Sequence, residues 1–159
     1  MSAIKFLRLK ILFSTVLLLT FFSCQKKSEK TTSKNNEITF ISISNVSGNF
    51  DDYKIITITK DSITSEQGNT AKQLHKQWAS SLSPKTWKLL TGAFDLKTLD
   101  HIKSSESIQA KGGTDEVFQI KTSKKSHVYV NSYHDPIYYR QFEKFKSQVD
   151  KILPNEHHP

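Results

Sequence analysis

The fold follows from one stretch of the chain, Ile38-Thr-Phe-Ile-Ser-Ile-Ser-Asn-Val-Ser-Gly-Asn-Phe-Asp-Asp-Tyr-Lys-Ile-Ile-Thr-Ile-Thr59. β-branched and aromatic residues fill both of its ends, which predicts two strands, over residues 38–44 and 53–59. The turn-forming residues of Gly48–Asp52 predict the connection between them. A third short strand is predicted over Ser62–Glu66, so this half of the chain is expected to be a meander of adjacent strands.

The middle of the chain predicts helices. Residues 67–70 are expected to form a loop. Ser83 followed by Pro84 is typical of a helix N-cap and a first helical residue, and Gly92 predicts the end of that helix. Asp95 predicts the cap of a second short helix. The apolar residues of that helix are spaced by three: Leu96, Leu99 and Ile102.

Strands return after the two glycines at 112 and 113. Val117–Thr122 and His127–Tyr133 predict a hairpin, because four polar residues separate two β-branched and aromatic runs. Asp135 and Pro136 then predict the cap and first turn of a C-terminal helix. Its apolar residues recur at helical spacing: Tyr138, Phe142, Phe145, Val149 and Ile152.

The order of these elements, βββααββα, predicts an α+β fold. We expect a mainly antiparallel sheet of about five strands with helices packed on one face. A single domain is predicted over residues 37–154, followed by a loose tail over 155–159.

The N-terminus has the three zones of a secretory signal. Residues 11–23 carry no charge and end on a small residue, and the preceding segment carries three positive charges: Lys5, Arg8 and Lys10. A bilayer-spanning helix needs about 20 apolar residues. The short run therefore favours a cleaved signal peptide over residues 1–23, with an uncleaved membrane anchor as the alternative.

Cys24 is the only cysteine, and it stands where apolar sequence gives way to polar sequence. Phe21-Phe22-Ser23-Cys24 resembles the bacterial lipobox, with Phe21 in place of the usual leucine. This resemblance implies that Cys24 carries two or three acyl chains. Each buried methylene contributes about 0.8 kcal/mol, so several chains would make a durable membrane anchor. The alternative is a chance cysteine inside an ordinary signal.

The residues after the cysteine predict a tether and a location. Residues 25–36 contain no apolar residue, so the lipidated Cys24 and a flexible tether are expected over 24–36. Gln25 is not the aspartate that resembles an inner-membrane retention signal, which favours the cell envelope, at the outer membrane facing the periplasm. Gln25-Lys26 also resembles the start of a surface-export signal, so the cell surface is the alternative.

The charge pattern argues against a nucleic-acid partner. The chain has 23 basic and 15 acidic residues, and without residues 1–23 it keeps 20 basic and 15 acidic residues, a net charge of +5. A nucleic-acid binder is expected to show a basic stripe interleaved with aromatic residues. Here the lysines are scattered and arginine occurs only at 8 and 140.

A wider pattern resembles short uncharacterised lipoproteins of Bacteroidota. It covers roughly residues 85–153 and consists of five short motifs: Trp87-Lys-Leu-Leu, Leu96-Lys-Thr-Leu, Gly112-Gly113, Val117–Thr122 and Tyr133-His-Asp-Pro136. In those proteins the glycine turn usually reads Asp-Gly-Ala, whereas this chain has Lys111-Gly112-Gly113. The resemblance implies an α+β envelope domain and brings no established activity.

Candidates for chemistry are few. The chain has no Gly-x-Ser-x-Gly elbow, phosphate loop or dinucleotide fingerprint, so we predict no cofactor, no catalytic residue and no metal site. His134 beside Asp135 is the most suggestive pair, since such a histidine can act as a general base or a metal ligand. Hairpin pairing brings Asp115 to the same end as Tyr133 or His134. The alternative role of Asp135 is helix capping.

Tyr138 and Tyr139 adjoin on the predicted C-terminal helix and cannot both face the core. One of them is therefore expected to be exposed and to contact a partner. The predicted contact residues are Tyr133, His134, Asp135, Tyr138, Tyr139 and Asp115.

Three functions fit these features. The first is a non-enzymatic, membrane-anchored envelope lipoprotein that contacts the membrane through Cys24 and binds an envelope protein or a glycan. The second is a small envelope hydrolase or metal-dependent enzyme that uses Asp115, His134 and Asp135. The third is a self-assembling or inhibitory sheet domain, recognisable by an exposed sheet edge. The lack of a catalytic set favours the first.

Overall fold

The computed structural model describes residues 36–48 and 51–155. The predictions for the signal peptide, for Cys24 and for most of the tether fall outside these ranges, as does the tail after Asn155. The described residues belong to one compact unit, Asn35–Pro159. Among them, no helix combines the length and the hydropathy that crossing a membrane requires.

Six antiparallel strands form one sheet in the order β4-β3-β2-β1-β5-β6. The strands are β1 (Ile38–Ser47), β2 (Asp52–Thr59), β3 (Ser62–Asn69), β4 (Leu74–Ser81), β5 (Thr114–Thr122) and β6 (Ser126–Val130). The α+β class and the antiparallel sheet are confirmed. The sheet has one strand more than the predicted five, and that strand is β4.

The prediction for residues 67–81 is wrong. The expected loop at 67–70 continues β3 to Asn69, and the region expected to be helix or loop is the strand β4. Seven of the eight residues of β4 are exposed, so the strand buries no face and shows no alternation of apolar and polar residues. Gln73 has φ 53° in the turn before β4. The strand conformation of β4 therefore depends on its pairing with β3, and this pairing cannot be predicted from the sequence of β4 alone.

Two helices cross the sheet, α1 (Pro84–Thr91) and α2 (Arg140–Asp150). The predicted start of α1 is confirmed, because the Ser83 side chain accepts a hydrogen bond from the Thr86 N–H at 3.1 Å. Gly92 follows its last residue, as predicted. These caps satisfy backbone groups that the first and last turns leave without helical partners.

The second short helix predicted after Asp95 is a turn followed by a 3-10 helix, Leu99–His101. The chain leaves it in an extended conformation at Ile102, because the next residues run beside β6, where the Ser105 N–H donates to the Val130 carbonyl at 2.8 Å. Leu99 and Ile102 are nevertheless buried. The prediction of a second helix is therefore wrong except for one 3-10 turn, although the residues spaced by three pack towards the core.

The core lies between the helices and one face of the sheet, called here the inner face. Phe142, Phe145 and Val149 of α2 are buried as predicted, and the Phe142 ring stacks on Phe118 with 4.1 Å between centroids. Each such side chain contributes about 1.5–3 kcal/mol when fully buried. The central strands complete the core with Ile41, Ile43, Ile56, Ile58, Ile63 and Ile120.

Candidate functional site

Asp115 has a structural role at the end of the predicted hairpin. The residue is buried, and its Oδ1 accepts hydrogen bonds from the Ile108 N–H at 2.9 Å and from Asn131 Nδ2 at 2.8 Å. Burial alone would raise the pKa of Asp115, but the hydrogen bonds from Ser107, Ile108 and Asn131 hold it below its usual value. Its carboxylate fastens the loop before β5 to the sheet.

Asp135 is buried as well, and its carboxylate caps a turn, whereas the predicted role was the cap of the C-terminal helix, whose N-cap residue is Tyr139. Oδ1 accepts from the N–H groups of Ile137 at 2.9 Å and Tyr138 at 3.0 Å, and Oδ2 accepts from the Lys103 N–H at 2.9 Å. Burial favours a raised pKa for Asp135, yet these hydrogen bonds lower it. They hold a series of turns over residues 136–139, so the helix begins at Arg140 and not directly after Pro136.

Tyr133 and His134 lie at the surface. Tyr133 is 41% exposed, His134 is exposed, and their ring centroids are 4.4 Å apart. Within residues 36–48 and 51–155, no group of three or more histidine, cysteine, aspartate or glutamate side chains is placed to hold a metal ion. The structure therefore does not assemble Asp115, His134 and Asp135 into a metal site.

The prediction that Tyr138 or Tyr139 is exposed is wrong, because both are half-buried. Tyr138 stacks on His101 with 6.1 Å between ring centroids. The Tyr139 hydroxyl donates to Glu116 Oε1 at 2.8 Å. The two tyrosines occupy a turn and not a helix, so adjacent side chains find separate partly covered positions.

Lys146 of α2 completes a small polar cluster with Tyr139 and Glu116. Its Nζ donates to Glu116 Oε2 at 2.7 Å and lies 5.0 Å from the centroid of the Tyr139 ring. Burial would lower the pKa of Lys146, but the hydrogen bonds to Glu116 and Tyr139 raise it. Burial raises the pKa of Tyr139. The positive charge of Lys146 is balanced by the carboxylate of Glu116, and the hydrogen bonds of the cluster connect α2 to β5.

A row of polar residues crosses the inner face beyond the core. On β2, Lys54 lies two residues before the buried Ile56 and therefore on the same face. The register pairs Lys54 with Asn45 of β1 and with Gln67 of β3, and Gln67 with Lys76 of β4. These four residues, Asn45, Lys54, Gln67 and Lys76, are called here the polar row.

A groove of about 380 Å³ lies along the polar row. All four residues of the row line it, together with Leu74 at the start of β4 and Thr114 at the start of β5. Leu74 is 59% exposed, so the groove extends to the edge of the sheet. Most of its lining is apolar, as expected where the stems of lysine side chains lie along a surface.

Lys54 gives the groove its electrostatic character. Burial lowers the pKa of Lys54, and the nearby Asp150 at the end of α2 opposes this effect. A partly desolvated ammonium group interacts more strongly with an incoming anion than a fully hydrated one does. Asp52 also lines the groove and accepts a hydrogen bond from Asn69 Nδ2 at 2.8 Å, so the positive charge of the groove is confined to Lys54 and Lys76. The groove is therefore suited to a ligand that combines apolar surface with negative charge placed beside these two lysines.

Gly68 allows the strands beside the groove to approach closely. A Cβ atom at this position would lie 2.3 Å from the Leu74 carbonyl oxygen and 2.7 Å from the Tyr53 hydroxyl. The Tyr53 hydroxyl is in turn 2.9 Å from His75 Nδ1. Glycine is thus required for the observed packing of β2, β3 and β4.

Sequence reasoning missed the polar row. One member of the row could have been predicted from the alternation of side chains along β2. The alternation that buries Ile56 also places Lys54 on the inner face. However, Gln67 fell in a predicted loop and Lys76 in a predicted helical region. The row could not be assembled without β4.

Comparison with known proteins does not extend these observations. No family model, curated protein or solved structure matches the chain.

Proposed function

We propose that the protein is a membrane-anchored envelope lipoprotein that binds an envelope protein or a glycan without catalysing a reaction. Cys24 carries the lipid, at the outer membrane facing the periplasm or, alternatively, at the cell surface. The groove along the polar row is the binding surface. The observation that carries the proposal is this groove of about 380 Å³, which is lined by all four residues of the polar row.

The placement of Lys54 supports a binding role. A half-buried lysine whose pKa is lowered by burial costs folding free energy, because its charged form loses hydration. The apolar core does not need this residue, since Ile56 and Ile58 already cover the inner face of β2. Perturbed ionisable groups in a concave surface are characteristic of functional sites.

The proposal is tested with a variant whose larger side chain fills the groove. Gln67→Trp places a large side chain in the polar row, and Thr64→Trp, on the opposite face of the same strand, is the matched control. Wild type and both variants are cross-linked in intact membranes, purified in detergent and weighed by mass spectrometry. Thermal denaturation first establishes that each variant is folded.

We expect wild type and Thr64→Trp to carry the same cross-linked species and Gln67→Trp to lack it. Recovery of that species from folded Gln67→Trp at the wild-type level would contradict the proposal. A wild-type protein that carries no species above background would contradict it as well.

A further inference from the structure

The two edges of the sheet differ. At the β6 edge, a neighbouring segment satisfies the backbone groups of Val130, since the Ser105 N–H donates to the Val130 carbonyl at 2.8 Å and Ser104 Oγ accepts from the Val130 N–H at 3.1 Å. At the other edge, no strand of the described ranges pairs with the outer side of β4. A strand of this length presents a row of backbone donors and acceptors that can pair with another chain.

The chain from β4 through α1 carries lysines and no acidic residue, whereas Glu66 on the neighbouring β3 lies with its Oε1 3.6 Å from His75 Nδ1. From Gln67 to Phe94 the chain contains no acidic residue, and all four of its lysines in this stretch are exposed: Lys72, Lys76, Lys85 and Lys88. A second copy paired with this edge would add the same four lysines and no acidic residue from this stretch, whereas an acidic segment would supply a counter-charge for Lys76, the one lysine within β4. The charge therefore favours an acidic partner over a second copy.

The inner face of β4 connects this edge to the groove. Leu74, Lys76 and Trp78 alternate along the strand on that face; Leu74 and Lys76 line the groove, and Trp78 packs against the core. Side chains of an added strand would stand beside these three residues, in the same alternation. The fitting sequence has an acidic residue beside Lys76, with apolar residues two positions before and after it.

We propose that β4 accepts an extended acidic peptide segment of an envelope protein as a seventh strand, with an acidic side chain of that segment beside Lys76 in the groove. This inference rests on the proposed function, because it assigns the partner of the same groove. Main-chain hydrogen bonds supply affinity in this mode, and the alternate side chains supply specificity.

The test uses three synthetic peptides and the full chain. The first has the inner-face pattern valine, glutamate, valine, with threonine at the intervening positions. The second carries lysine in place of the glutamate. The third keeps the glutamate but has alternate backbone nitrogens methylated along the edge that would face β4. Binding is measured by fluorescence anisotropy.

We expect the acidic peptide to bind at least about tenfold more tightly than either of the others. Lys76→Glu should reverse the preference between the first two peptides. Lys124→Glu makes the same change of charge at the exposed turn between β5 and β6, on the other side of the sheet from β4, and should leave the preference unchanged. Equal binding of the three peptides would overturn the proposal.

Vesicles of phosphatidylcholine with and without phosphatidylglycerol test the competing partner. Strand addition would be overturned by two results together: the protein adsorbs to the anionic vesicles and Lys76→Glu abolishes this adsorption, while the acidic peptide does not bind. The basic edge would then be a membrane contact. If the peptides do not bind but Gln67→Trp still loses its cross-linked species, the groove proposal stands and only strand addition fails.

Discussion

Asp115 is the residue whose function as a side chain is clearest. Its buried Oδ1 accepts from the Ile108 N–H and from Asn131 Nδ2. We expect Asp115→Ala to lower the free energy of unfolding by at least about 2 kcal/mol, because it leaves both donors without an acceptor. Urea denaturation at neutral pH measures the change.

Asp115→Asn is the matched control for that variant. Its amide oxygen can still accept both hydrogen bonds at the Oδ1 position, so the loss should be smaller than for alanine. Equal stability of the alanine variant and wild type would show that the loop before β5 does not depend on this carboxylate.

His127 should make the stability of the fold depend on pH. Burial lowers the pKa of this imidazole, Lys125 lowers it further, and Asp100 opposes both. At this histidine the unfolded chain therefore binds a proton more readily than the folded one does. The stability that the neutral His127 contributes is fully present above the unfolded pKa of about 6.5. We expect this stability to be lost as the pH falls from about 7 to 5.

His127→Phe should lose less stability than wild type over that pH range, because it removes the proton-binding group and keeps a ring beside Tyr129. The comparison is made by urea denaturation at each pH. Val128→Phe, which adds a ring at an exposed and non-titrating position of the same strand, is the control and should keep the wild-type slope. Parallel pH profiles for His127→Phe and wild type would contradict the assignment.

Among the elements, β4 depends on its neighbour for its position. Gly68 of β3 pairs with His75, and a methyl group there would press on the Leu74 carbonyl and on the Tyr53 ring. We expect Gly68→Ala to destabilise the fold by about 1–3 kcal/mol. Hydrogen exchange should show the largest loss of protection in β4.

Thr64→Ala on the same strand serves as the comparison, since its side chain faces away from the core. It should leave the protection of β4 close to that of wild type. A Gly68→Ala protein whose β4 amides remain protected would show that the strands can separate slightly without losing their register.

The elements that sequence predicted correctly are those that bury a face. β1, β2 and β5 carry alternating isoleucine or phenylalanine, and the apolar spacing of Phe142 and Phe145 marks α2. β4 buries no such face, and its Leu74 and Trp78 are four residues apart, a spacing that also suits a helix. Edge strands of this kind are specified by pairing and not by their own pattern.

The candidate site was less predictable than the fold for the same reason. That the Asp135 side chain accepts from the next backbone N–H groups could be predicted locally, because Asp135 and Pro136 are adjacent in sequence, but these groups belong to a turn and not to the predicted helix. The partial burial of Tyr139 could not, since Glu116 and Lys146 come from β5 and from α2. The polar row likewise needs the registers of four strands.

For the whole molecule, anchoring and folding should be separable. Cys24 precedes the compact unit Asn35–Pro159, so its substitution removes no contact within that unit. We expect Cys24→Ser to move the protein from the membrane fraction to the soluble fraction while the midpoint of thermal unfolding of the domain stays unchanged. Lys30→Ser, a change in the predicted tether, should remain with the membrane.

The fractions are washed with about 1 M salt, because the net charge of +5 predicted for the chain after signal removal can adsorb to anionic lipid and salt screens that attraction. Acyl chains hold by apolar burial, which the wash does not weaken. Mass spectrometry of wild type should find the acylated cysteine as the first residue. Two results would contradict the lipid anchor: Cys24→Ser that stays with the membrane after the salt wash, or a wild-type chain with an unmodified thiol. Either would mean that something other than this lipid holds the protein at the membrane.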